Sequence, residues 1–167
     1  MSHGVERAHV PAAGPRWLSL VFWLLLVAAV ALFGSWTTLP QIATWYATIA
    51  KPSFTPPNAV FGPVWTVLYL MMAVAAWRVG PLTDGNRRRA ITLFGIQLAF
   101  NAVWSPVFFG LEAPRAGLAI ILALLISLSA TLVAFWRLDR PAALLLVPYL
   151  AWVCYATALN AEIVRLN

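Results

Sequence analysis

The chain has 167 residues, of which 62% are hydrophobic and only 10% charged, and its formal net charge is +6. Soluble domains carry roughly 45–50% apolar and about 25% charged residues, so a water-soluble globular fold is excluded. The positive charge does not point to nucleic acid, because the basic residues sit at the ends of apolar stretches and form no patch interleaved with exposed aromatics.

Residues 1–16 are polar, contain Pro11, Gly14 and Pro15, and read as a disordered tail. Beyond them, no Asp, Glu, Lys or Arg occurs in 17–50, 52–77, 90–111, 116–136 or 141–161. A membrane-spanning helix needs ~20 mostly apolar residues, and each window supplies them. The expected fold is an all-α membrane protein: a bundle of five transmembrane helices with a short interfacial helix in the first loop. Span one is expected at 17–38. Arg16 followed by an apolar run imitates a secretory signal, but no small-x-small cleavage site follows, so it is read as a retained span.

The segment "LPQIATWYATIAK" (39–51) is broken by Pro40 and reads as a short helix at the membrane interface, with Trp45 and Tyr46 at headgroup level. Span two is expected at 57–79, with Pro63 tolerated near its start or kinking it slightly. A turn-rich loop, "GPLTDGNRRR", precedes span three at 90–109. The short link "GLEAPRAG" leads to span four at 116–136, and "RLDRP" to span five at 141–163. Arg7, Arg16, Arg78, Arg87, Arg88, Arg89, Arg137 and Arg140 fall on one side of this topology, against Lys51, Arg115 and Arg165 on the other. In a bacterial-type membrane that imbalance predicts a cytoplasmic N-terminus.

Catalytic kits are missing from the spans. His3 and His9 both lie in the tail, so no span offers imidazole for base catalysis or haem ligation. Cys154, the single cysteine, reads as a buried core residue rather than an axial thiolate. The sequence has no metal-ligand cluster, and no ionisable group deep in a span of the kind a proton-coupled pump needs. What remains is neutral and aromatic. Gln97, Asn101 and Trp104 share a face of span three; Tyr149, Trp152, Ala156 and Asn160 share one on span five; Trp65, Tyr69 and Met72 share one on span two. Uncharged polar groups in lipid seek partners inside the bundle. These stripes either wall a small-molecule cavity or merely pack helix to helix. A stripe of small residues, Gly95, Ala99 and Ala102, lies about 200° around span three from the amide stripe, at roughly 100° per residue. It is expected to face outward as a homodimer interface.

Three motifs, "WYATIAKPSFTPPNAVFGPVWTVLY", "QLAFNAVWSPVFFG" and "PYLAWVCYATALN", resemble those of the tryptophan-rich sensory protein/translocator protein family, also called peripheral benzodiazepine receptors. The resemblance covers most of the chain. It implies a five-helix, usually dimeric bundle that binds porphyrin-type tetrapyrroles such as protoporphyrin and haem, as well as sterols and benzodiazepine-type ligands. No cofactor is required by this reading; porphyrin or haem is the ligand. Photo-oxidative porphyrin degradation is the alternative that the resemblance raises, with small-molecule export a further one. By resemblance the pocket falls on Trp65, Asn101, Trp104, Trp152, Ala156 and Asn160, with Trp45 and Tyr46 in the loop covering it. Asn101 and Asn160 are expected to bond ligand carboxylate or pyrrole groups, and "KPSFTPPN" to form a stiff lid. Two departures stand out. Ala59 occupies a position where many relatives have tryptophan. Ala161 and Glu162 follow "LN" where mammalian relatives place a sterol-motif tyrosine, which weakens the expectation of sterol binding although Arg165 is kept.

Overall fold

The computed structural model describes residues 16–82 and 84–167. The polar stretch 1–15, including both histidines, lies outside the described residues. Six α-helices follow in order: α1 (Arg16–Ile42), α2 (Trp45–Thr48), α3 (Asn58–Val79), α4 (Arg87–Ser105), α5 (Pro114–Leu138) and α6 (Arg140–Leu166). All but α2 are long and apolar enough to cross a membrane. No strand occurs among the described residues. The spans close into a ring, α1 against α3, α3 against α6, α6 against α5, α5 against α4 and α4 back against α1. We call the end bearing α2 the loop end and the opposite one the arginine end.

Small residues bring the helices together at the arginine end. Ala73, Ala75, Ala76, Ala90, Ala142 and Ala143 are fully buried there, and small side chains let membrane helices approach closely. Phe94 stacks on Phe135 with ring centroids 6.0 Å apart, and Trp23 meets Phe94 edge-on at 5.4 Å. Polar ties reinforce the packing. Arg78 pairs with Asp139 (Nε to Oδ2, 3.0 Å), while Asp139 Oδ1 caps α6 by accepting from the backbone N–H of Ala142 at 3.1 Å. Trp77 Nε1 donates to the backbone carbonyl of Arg16 at 2.9 Å, under the Arg16 guanidinium. Arg16, Arg78, Arg87, Arg88, Arg89, Arg137 and Arg140 belong to this end by the alternation of the spans.

The helix boundaries depart from the sequence reading where prolines stand. Helix α1 runs through Pro40 to Ile42, and the loop helix shrinks to the four residues of α2. Pro40 lies in the last turn of α1, where its missing N–H costs one hydrogen bond instead of a ladder, and Thr44 Oγ1 donates to its carbonyl at 3.0 Å. Pro63 is carried inside α3. Span three starts at Arg87, earlier than expected, and ends in a π turn, Pro106–Gly110. Pro106 has no N–H for the carbonyl four residues back, and the ladder re-registers, with Leu111 N donating to the Pro106 carbonyl at 2.9 Å. The wider turn buries both Phe108 and Phe109. Cys154 is exposed on the outer face of α6, not buried as expected. It lies two residues, about 200°, from Trp152 and from Ala156, which face inward.

Gly117 of α5 admits the π turn. A Cβ there would lie 3.0 Å from Phe108 Cδ2, 3.2 Å from Phe108 Cβ and 3.3 Å from Asn160 Oδ1. A Cβ at Gly95 would meet nothing within 4 Å. Gly117→Ala is therefore expected to cost about 1–3 kcal/mol through overpacking, seen as a lower unfolding midpoint in detergent. Gly95→Ala should leave that midpoint unchanged.

Candidate ligand-binding site

The loop-end half of the bundle encloses a cavity of about 440 Å³. Each element contributes one wall. Helix α1 gives Ala31, Gly34, Ser35, Thr38, Leu39 and Ile42; α3 gives Asn58, Ala59, Phe61, Gly62, Trp65, Thr66 and Tyr69; α4 and its π turn give Asn101, Trp104, Ser105, Phe108 and Phe109. Ile121 and Leu124 of α5, with Trp152, Val153, Ala156, Leu159, Asn160 and Ile163 of α6, complete the far side, and Tyr46 roofs it. No lining residue carries a charge.

Two hydrogen-bond networks hold the walls in register. Tyr69 Oη donates to Asn101 Oδ1 at 2.6 Å, and Asn101 Nδ2 donates to Tyr149 Oη at 2.8 Å, tying α3 to α4 to α6. Trp104 Nε1 donates to Asn160 Oδ1 at 3.3 Å, and Asn160 Nδ2 donates to the Pro114 carbonyl at 2.9 Å, tying α4 to α6 and α5. Trp104 also stacks on Phe108, centroids 5.1 Å apart. Trp65 lies against Tyr69 at 5.5 Å and Tyr149 at 6.1 Å. The indole N–H of Trp152 is buried and has no acceptor in the protein.

The structure thus brings Tyr46, Trp65, Tyr69, Asn101, Trp104, Trp152, Ala156 and Asn160 to one cavity, and leaves three expected residues out of its wall. Gln97 is fully buried one turn from Asn101, with neither end of its amide partnered by protein. Tyr149 is fully buried behind Asn101. Trp45 packs against the π turn without lining the cavity, edge-on to Phe108 at 5.7 Å and to Phe109 at 6.4 Å. Asn101 and Asn160, expected to bond ligand groups, each engage both ends of the amide within the protein while lining the cavity. Nor does the proline segment supply the inner surface of the lid. None of Lys51–Pro57 lines the cavity, and the roof is Tyr46, 5% exposed. Burial pushes its phenol above the ordinary value, so the roof is neutral at physiological pH.

Sequence reasoning missed Phe108 and Phe109, although Phe108 continues the Gln97, Asn101, Trp104 stripe by one more turn. It also missed α1, whose contribution of small and aliphatic residues leaves no polar signature. The outward-facing stripe behaves differently along its length: Gly95 and Ala99 are exposed and Ala102 is half-buried. Gly95 contacts no other span of its own chain. Ala161 and Arg165 are exposed, Glu162 pairs with Arg165, and none of the three lines the cavity. Among the described residues no group of His, Cys, Asp and Glu could hold a metal.

A ring of five membrane-spanning helices around an aromatic, uncharged cavity defines an integral, multi-pass membrane protein of the receptor type. The TspO/MBR family model matches residues 22–166, and the chain belongs to that family. It is 44% identical to the Tryptophan-rich protein TspO of Chlorobaculum tepidum, over 90% of this chain and 96% of that one. It is 39% identical to the Tryptophan-rich sensory protein of Cereibacter sphaeroides, over 87% of this chain and 92% of that one. Similarity extends to the Translocator protein of Homo sapiens, 37% identical over 92% of each chain.

The Asn101 network predicts an order of stabilities. Tyr149→Phe leaves a fully buried amide N–H of Asn101 without this acceptor, a loss of about 1–3 kcal/mol. Tyr69→Phe, at a half-buried site, should cost less. Thermal unfolding of the two variants in detergent checks the ranking.

Proposed function

We propose that this protein is a membrane receptor or carrier for flat tetrapyrroles, protoporphyrin and haem among them. The observation that carries this reading is the uncharged cavity of about 440 Å³ walled by Trp65, Trp104, Trp152 and Phe108. Its size falls within the roughly 300–1,000 Å³ of small-molecule sites, and aromatic rings receive a planar macrocycle by offset stacking. The buried Trp152 N–H adds a donor that a ligand acceptor would satisfy, since an unpaired buried donor is costly. With no cation in the wall, the ring's carboxylates belong at the edge of the cavity, where water or headgroups solvate them. The wall has no His, Cys or carboxylate, and of its two tyrosines Tyr69 is committed to Asn101 while Tyr46 forms the roof, so the metal-free ring suits the site as well as haem does. Ala161, Glu162 and Arg165 lie off the wall, which favours tetrapyrrole over sterol. Trp65→Ala and Trp152→Ala are each expected to weaken protoporphyrin binding several-fold, by about 1 kcal/mol or more. Trp23→Ala, remote from the cavity, should bind like wild type. Fluorescence-quenching titrations measure all three, and equal affinities would sink the assignment.

Two further readings concern assembly and orientation. The arginine end is assigned to the cytoplasmic side of a bacterial-type membrane, from the excess of basic residues there. Gly95, Ala99 and Ala102 form the core of a homodimer interface, supported by the open space over Gly95 and by the close approach that small residues allow. Gly95→Leu with Ala99→Leu should shift the protein to monomer while largely sparing ligand binding. Crosslinking in membranes reads the shift, and an unchanged dimer moves the interface elsewhere.

A further inference from the structure

The cavity wall is uneven. Ser35 and Leu39 of α1, and Asn58, Ala59, Gly62 and Thr66 of α3, line the cavity and are exposed. Every lining residue from α2, α4, the π turn, α5 and α6 is buried or half-buried. The opening therefore runs between α1 and α3. It also runs deep: at ~1.5 Å per residue, Thr66 lies roughly 12 Å from the start of α3 and Ser35 roughly 10 Å from the end of α1. Those depths belong to the membrane-spanning part of both helices.

The cause is a change of partner along α1. At the arginine end α1 is fastened to α3, through Trp77 Nε1 on the Arg16 carbonyl and Trp23 packed beside Gly80. Trp23 meets Phe94 of α4 there as well, and toward the loop end the polar tie of α1 runs to α4, where Thr38 Oγ1 and Ser105 Oγ share a hydrogen bond of 3.1 Å and Gly34 seats against Ser105. Among the described residues no side-chain hydrogen bond joins the loop-end halves of α1 and α3. A Cβ at Gly62 would meet nothing within 4 Å.

The roof, by contrast, is tied down. Lys51 Nζ donates to the carbonyls of Tyr46 at 2.6 Å and Ile49 at 3.0 Å, and lies 4.9 Å from the centre of the Tyr46 ring. Asn167 holds Ala50 by both ends of its amide, accepting from the Ala50 N–H and donating to its carbonyl, each at 3.0 Å. Tyr155 Oη donates to the Phe54 carbonyl at 2.6 Å. Lifting the lid breaks the bonds that Asn167 and Tyr155 make to it, while those of Lys51 lie within the lid; passing between α1 and α3 breaks none of them.

We propose that ligand enters and leaves sideways, from the bilayer, through the slot between the loop-end halves of α1 and α3, while the lid, stiffened from within by Lys51, stays latched to α6 by Tyr155 and Asn167. Ala59 and Gly62 set the width of the slot and select for ligands that are thin and partition into lipid before they bind. The proposal rests on the tetrapyrrole reading for its ligand, not for its geometry.

The test uses the full chain in lipid vesicles, with protoporphyrin supplied in the bilayer and tryptophan quenching followed in time. Gly62→Leu and Ala59→Trp should slow association and dissociation together, by about tenfold, as expected for a gate; because both residues also line the cavity, the two rates are read separately and not through the dissociation constant. Tyr155→Phe combined with Asn167→Ala should leave both rates as in wild type. Faster exchange in the unlatched variant, with no effect at the slot, would overturn the proposal. A spin label on Gly62→Cys, in a Cys154→Ala background, gives a readout that needs no ligand. Collisions with oxygen, which concentrates in lipid, should exceed those with a water-soluble nickel chelate. The reverse preference would overturn the lateral slot whatever protoporphyrin does. A lipid-exposed label in a protein that fails to bind protoporphyrin would support the slot and end the tetrapyrrole reading.

Discussion

The structure depends on one pressure of the bilayer: lipid offers a polar side chain no partner, so a span does best to pair it within the protein, and the amide of Gln97 is an exception. Asn101 and Asn160 answer that pressure by reaching across to other helices. Asn101 links α3, α4 and α6 through two tyrosines, and Asn160 links α4, α5 and α6 through Trp104 and the Pro114 carbonyl. Such bonds contribute only about 0.6–2 kcal/mol each in membranes. Their direction is what matters, since they fix the facing of four helices at once and so hold the aromatic side chains apart as cavity walls.

Helix α1 stands outside these networks. It has one buried residue, Val27, and its hydrogen bonds to other spans are made by Trp77 at one end and Ser105 near the other. Most of its surface was therefore left apolar and unpatterned, as lipid contact allows. The bundle is better described as four cross-linked helices with a fifth leaning on them. That division accounts for the cavity's one thin wall.

This difference also explains what could be read from the sequence. The five spans were legible because charge is excluded from each of them, and the stripes of α3, α4 and α6 were legible because amides and aromatics recur at helical spacing. Trp65, Asn101, Trp104, Trp152 and Asn160 could be assigned inward on that basis. The contribution of α1 was illegible: Ala31, Gly34 and Ser35 act by being small, and smallness on a lipid-facing helix carries no period. The π turn was hidden for a different reason. Pro106 announces a break in the helix, but only the packing of Phe108 against Gly117 decides that the chain continues in a wider coil. Tyr46 and Trp45 illustrate the same limit: they are adjacent in sequence and both pack on Phe108 and Phe109, yet only Tyr46 lines the cavity.

The cavity occupies only the loop-end half of the bundle. Below it, the Phe94–Phe135 stack and the fully buried alanines of α3, α4 and α6 fill the interior, leaving no continuation toward the arginine end. A molecule held beside Trp65 and Trp152 thus sits at the depth of a single leaflet. Translocation to the other leaflet through the centre of the ring would require that aromatic plug to come apart. On the proposed tetrapyrrole reading this architecture is a one-sided holding site, and with the plug intact net passage across the membrane is left to lipid flip-flop.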